Sequence, residues 1–255
     1  MTLILTWVAP DGIVMGADSA LTWQAPDGKA EMTLSDAYKV VPFDRSGQLF
    51  GVAFCGMGMI GQQWTSSWLR NHVETCAVPN DPVDFADGLC KRLNGLALPC
   101  SLLAFQVAGW VRRGESGLPE DIEPRFLEVS NLDRATSRVT NRFTSIDLLP
   151  SYFIPDIRKY RSGDRSIYPM HFGSAGIPEN FSSTWIAKTF VPAITTMVGA
   201  QAPQPNITSV AEFVRLLIGV VVDSLRITRQ PATVNRPIET LVLFPEGRSA
   251  FSARY

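Results

Sequence analysis

The chain begins MTLILTWVAPDGIVMGADSALT, and the residue after the initiator methionine carries a hydroxyl. A threonine hydroxyl is a poor nucleophile at neutral pH and needs a base beside it. At a free N-terminus it has one, its own α-amine, with a pKa of about 8. Thr2 is the earliest residue that can become such a terminus, because Met is readily removed before a small residue. Four further short stretches stand out downstream: GADSALT with Asp18, YKVVPF with Lys39, GVAFCGMG with Gly56, and FGSAG with Ser174. Other routes to catalysis are thinly furnished. His72 and His171 are the two histidines, neither in a nucleophile-elbow context nor at the helical spacing of a two-His metal motif. Cys55, Cys76, Cys90 and Cys100 form no Cys-x-x-Cys pair and read as free thiols. No metal and no cofactor are expected.

The elements that must position these groups follow from the pattern. Residues 2–8 read as a strand, Pro-Asp-Gly as a turn, and 12–18 as a second strand paired back on the first. The hairpin is apolar on both faces, so both faces should be covered. The polar stretch 23–36 reads as a loop or loose hairpin, and 38–43 and 48–56 as strands. Ile60, Trp64 and Trp68 then recur every four residues, which predicts a helix over 57–75. Asp81 and Pro82 announce a second helix, with Phe85, Leu89 and Leu93 as its stripe. A strand over 101–110 and a hairpin around Asp133 come next. Residues 145–170 read as irregular. Helices are expected over 178–198 and, after a capping box of Ser209 and Glu212, to about Thr228. Strands at 238–244 and 248–254 close the chain. Strand runs alternating with helix pairs predict an α+β layered architecture: two stacked sheets with a helix pair outside each, in one domain over 1–255.

Composition narrows the function classes. The 255 residues are 45% hydrophobic and 18% charged, with a formal net charge of -1. That balance carries no footprint for nucleic acid. No basic n-region precedes the first apolar run and no run reaches the ~20 residues of a membrane span, so a cytoplasmic protein without a signal peptide is expected.

The set of motifs resembles the proteasome β-subunit and HslV-like bacterial branch of the N-terminal-nucleophile hydrolases. The resemblance lies in Thr2, Asp18 in GADSALT, Lys39 before its short strand, Gly56 ending the next, and Ser174 in FGSAG. It implies the four-layer αββα sandwich over nearly the whole chain. It implies that Thr2 attacks a peptide bond, and that Lys39 keeps the α-amine neutral and is itself held by Asp18. Gly56 would offer its backbone N–H to the oxyanion, and Ser174 would orient the amine. By position, Leu21, Ala37, Phe54 and Gly58 would line the pocket for the residue before the cut, which leans towards apolar side chains. The resemblance further implies peptide or unfolded-protein substrates, self-association into rings or stacked rings, and room for an ATPase partner. Two features depart from it. The late loop TRQPATVNRP has no Asp, where the family carries an Asp and then a Ser, leaving Gln230, Thr233 or Asn235 as substitutes. Only Met1 precedes Thr2, so an aminopeptidase, not self-cleavage, would expose it. A catalytically inactive structural subunit and an amidohydrolase of small amides are the alternatives.

Overall fold

The computed structural model describes residues 3–24, 31–34, 37–113, 121–164, 166, 168–175, 207–227 and 237–252. Strand β1 (Ile4–Ala9) turns through Pro10 and Asp11 into β2 (Gly12–Asp18), and every residue of both strands is buried. The two-residue turn fixes the register, from Ala9 opposite Gly12 to Ile4 opposite Ala17. The polar stretch forms a small separate hairpin, β3 (Leu21–Gln24) and β4 (Glu31–Leu34). Then come β5 (Val40–Arg45) and β6 (Gln48–Gly56). Residues 57–64 are not helical. They make a two-stranded hairpin, β7 (Met59–Ile60) and β8 (Gln63–Trp64), and α1 (Thr65–Thr75) starts eight residues later than predicted. Gly61, at a φ of 62°, makes that tight turn, so Ile60 and Trp64 mimic a helical period without forming one.

Helix α2 (Pro82–Asn94) begins as predicted. Asp81 accepts from the backbone N–H groups of Val83 at 2.8 Å and Asp84 at 2.9 Å. Strands β9 (Leu103–Arg112), β10 (Ile122–Asp133) and β11 (Arg138–Asp147) follow, the last two joined by the hairpin around Asp133. The supposedly irregular stretch contains α3 (Phe153–Arg161), whose Phe153, Ile157 and Tyr160 are buried. It also leads to a strand, β12 (His171–Ala175). The helix predicted over 178–198 lies outside the described residues. Helix α4 (Ile207–Ile227) starts two residues before Ser209, so Ser209 is an exposed position inside it and not its cap. Glu212 pairs with Arg215 at 2.6 Å instead of reaching back. Strands β13 (Ile238–Leu243) and β14 (Ser249–Ser252) end the described chain.

The strands form two five-stranded antiparallel sheets, ordered β12-β1-β2-β13-β14 and β11-β10-β9-β6-β5, beside the two small hairpin sheets. Strand alternation sorts the side chains. Ile4, Val8, Met15, Ala17, Ala53, Cys55, Ala104 and Ala108 fill the gap between the large sheets. Phe50, Phe54, Phe105 and Leu127 point the other way, onto α1 and α2. Leu3, Leu5, Trp7 and Val14 pack under α4. That helix lies close because β2 has a glycine beneath it: a Cβ at Gly16 would sit 2.5 Å from Val214 Cγ1.

The four-layer αββα sandwich is not the arrangement of the described residues. They are mostly antiparallel sheet, with four helices that do not form a pair on each outer face. Helices α1 and α2 cover one sheet, α4 covers the other, and α3 packs against the core between the sheets. Among the described residues the added element is α3, which the sequence hid because the Tyr-, Arg- and Pro-rich stretch dilutes its apolar i, i+4, i+7 stripe.

On α1, His72 stacks on Trp68 at 5.3 Å and lies 5.6 Å from the Phe85 ring. Burial, helped by the Arg92 charge, pulls its pKa down to about 4. Above an unfolded-state pKa of ~6.5 both states are neutral and stability is intact. As pH falls towards 4, the unfolded chain takes up a proton that the fold refuses, and roughly 2 kcal/mol drains away. His72→Phe is expected to raise the melting temperature more at pH 4.5 than at pH 7.5. Equal shifts at the two pH values would mean that His72 is not the acid-sensitive group.

Candidate active site

The start of β1, the end of β2 and the start of β5 converge on one buried carboxylate. Asp18 Oδ1 accepts from the backbone N–H of Leu3 at 2.8 Å. Its Oδ2 accepts from Ala20 N at 3.0 Å and from Lys39 Nζ at 3.0 Å. The Asp18 N–H in turn donates to Leu3 O at 3.3 Å. Both charged side chains have 0% exposure. The hairpin register brings Asp18 to the head of β1. The chain then leaves through β3 and β4 and returns where Ala37 N donates to Ser19 O at 3.0 Å, which delivers Lys39 to the other side of the carboxylate.

Burial pulls the Lys39 ammonium below its ordinary pKa, against the opposing pull of Asp18 and, more weakly, of Cys55 and Glu239. The neighbouring Cys55 thiol is pushed up to about 12, chiefly by burial and then by Glu128, so it stays protonated at neutral pH. Phe54 N donates to Lys39 O at 3.3 Å, so the end of β6 lies alongside Lys39. Two residues on, Gly56 has a φ of 101°. The following Met57 N donates to Leu102 O at 2.8 Å, and Thr65 Oγ1 donates to Met57 O at 2.7 Å, which ties the turn to α1.

The structure therefore joins Asp18 to Lys39 directly and sets Gly56 at the end of the strand bonded to Lys39. Ser174 is in β12, opposite Leu5, on the flank of β1 away from β2. It is half-buried and part of a strand. Leu21, Ala37 and Phe54 share the apolar cluster with Trp68 and Phe105, and Gly58 is buried with its carbonyl accepting from Thr65 N at 2.9 Å. Thr2, Gln230, Thr233 and Asn235 lie outside the described residues. The residue that the sequence reading missed is Glu239, fully buried on β13. Its Oε2 accepts from Lys39 N at 3.0 Å and Val40 N at 3.4 Å. The available signal was one acid inside the apolar run IETLVLF. Among the described residues, no group of three or more His, Cys, Asp or Glu is placed to hold a metal ion, and no helix is long and apolar enough to cross a membrane.

The fold is like that of Anbu. A solved structure of an Anbu mutant from Hyphomicrobium sp. strain MC1 matches with a TM-score of 0.52 and 12% identity, over 100% of this chain and 87% of that one. Anbu is a bacterial proteasome-like protein of the N-terminal-nucleophile hydrolase kind. At that identity the likeness to Anbu is one of fold alone. No family model matches the chain, and no curated protein matches it. Membership of the proteasome β-subunit and HslV-like family, which the motifs suggested, is therefore corrected to this fold-level relation.

Proposed function

We propose that the chain is an N-terminal threonine hydrolase that cuts peptide bonds in peptides or unfolded proteins, and that it works as a self-associated, ring-like assembly in the cytoplasm. The reading rests on one observation above all: Leu3 N, the atom bonded to the carbonyl carbon of Thr2, is hydrogen-bonded to the fully buried Asp18–Lys39 pair. A buried ion pair is often no more stabilising than apolar residues of the same volume. A fully buried lysine held by a carboxylate at a strand end supports the reading of a functional site.

In the mechanism, the α-amine of Thr2 accepts the hydroxyl proton as Oγ1 attacks the scissile carbonyl carbon. The C–N bond then breaks, with the proton passing to the leaving nitrogen, and water hydrolyses the resulting ester. Lys39 lowers the pKa of the nearby amine and stabilises negative charge at the reacting oxygen. Asp18 holds Lys39 charged. Gly56 offers its backbone N–H to the oxyanion.

The lack of any Asp or Glu over 228–236 favours a second reading, an inactive structural subunit. Intact mass decides first between them. Loss of Met1, followed by a covalent β-lactone adduct on wild type and none on Thr2→Ala, is the outcome expected of the hydrolase. Met1 retained on all molecules, or equal cleavage of fluorogenic peptides by Thr2→Ala, would remove Thr2 as the nucleophile.

A further inference from the structure

Glu239 has the same strand parity as Leu241 and Leu243, which line the gap between the two large sheets. Its neighbour Ile238 pairs with Asp18 across β13 and β2, so the two carboxylates lie on adjacent strands, one residue apart in register. The Glu239 carboxylate reaches across to the other sheet and accepts the N–H groups of Lys39 and Val40, at 3.0 and 3.4 Å, where β5 begins. Its side chain has 0% exposure. A carboxylate taking two backbone N–H groups fixes their peptide planes. Here those planes set the direction in which Lys39 leaves the backbone.

We propose that Glu239 is a positioning residue of the Thr2 site: it anchors the backbone at Lys39 and supplies a second buried negative charge that keeps the Lys39 ammonium protonated. The groups facing Lys39 are Asp18 from β2, Glu239 from β13 and Cys55 from β6, and Glu128 from β10 faces Cys55 in turn. Cys55 is neutral over the working range, so the charge balance at Lys39 is set by the two carboxylates. This also gives the site an acid on the strand that follows the late loop, where that loop itself has none. The catalytic meaning of the assignment rests on the proposed hydrolase reading; the effect on Lys39 does not.

The experiment compares full-length wild type with Glu239→Gln and Glu239→Ala. The chain has few lysines, namely Lys29, Lys39, Lys91, Lys159 and Lys188, so the 13Cε resonance of Lys39 can be followed through a pH titration and assigned with Lys39→Met. Glu239→Gln keeps a carbonyl oxygen for the two N–H groups but removes the charge. Its Lys39 midpoint is expected to fall by about one pH unit. The alkaline limb of kcat should fall with it, lowering the rate on that flank about ten-fold while KM holds. Glu239→Ala should lose further rate, because the anchor goes as well. An unchanged Lys39 midpoint in Glu239→Gln overturns the proposal. If wild type cleaves no peptide, the hydrolase reading fails, and the Lys39 midpoint still decides the role of Glu239. If Glu239→Gln does not fold at 25 °C, its loss of melting temperature is compared in wild-type and Lys39→Met backgrounds. A smaller loss without Lys39 supports the coupling, and an equal loss overturns it.

Discussion

Lys39→Met is expected to slow peptide cleavage by about 10²–10³-fold while costing only about 3 kcal/mol of stability. The two effects have different origins. Met matches the length of the lysine stem and suits an apolar slot, so packing is largely kept. Asp18 loses one donor but retains Leu3 N and Ala20 N. It therefore remains a hydrogen-bonded carboxylate, which holds the penalty to the low end for a broken buried pair. The rate has no such cushion, because the ammonium acts on charge that develops only during reaction. Lys39→Arg should not rescue it: a planar guanidinium does not fit a slot closed by Asp18, Cys55 and the Glu239-anchored backbone. The measurements are kcat/KM against pH and urea unfolding of the same samples. A Lys39→Met protein that retains more than about a tenth of the wild-type rate would place the charge that drives the reaction elsewhere.

The same pair shows what a sequence discloses of such a site. The hairpin of β1 and β2 was legible because Pro-Asp-Gly is a local signal, and the α2 start because Asp81 caps its own next residues. Asp18 and Lys39 could be named, but only as members of an ordered set of landmarks. Their contact depends on a hairpin register and on the return of the chain through β3 and β4. Glu239 was not legible. A lone acid in a strand reads as solvent-facing until the sheet opposite is known, and its partners lie 200 residues away in sequence. Helix α3 was hidden for a related reason. Its Arg158 pairs with the buried Glu123, whose other oxygen is met from outside the helix by Arg113 at 3.1 Å and Arg125 at 3.4 Å. The stretch therefore looks like loop, and its apolar stripe is diluted. The fold class failed at the level of layers for the same cause: element order predicts pairing, whereas the number of helices on each face depends on packing that no local pattern encodes.

Gly56→Ala is expected to cost about 3–5 kcal/mol and to remove cleavage even where the protein still folds. A Cβ at this position would sit 2.0 Å from the carbonyl oxygen of Leu102 and 2.7 Å from its carbon. Those atoms are backbone, fixed by the pairing of Gly56 with Leu103 and by the Met57 N–H bond, so no side chain can swing away. The φ of 101° adds strain of its own for any residue with a Cβ. Gly47→Ala separates the two causes. Gly47 also has a positive φ, 79°, but nothing lies within 4 Å of its Cβ position. It should lose only about 1 kcal/mol and keep its activity. The excess at Gly56 then measures the clash. Relief of that clash must rotate or displace the peptide that carries the Gly56 N–H, the group assigned to the oxyanion, so the rate should fall further than stability alone explains. Urea unfolding and single-turnover cleavage of both variants test this. Equal, small losses of stability at the two glycines would show that the turn after β6 can open, and a strand end that opens cannot hold a preorganised oxyanion donor.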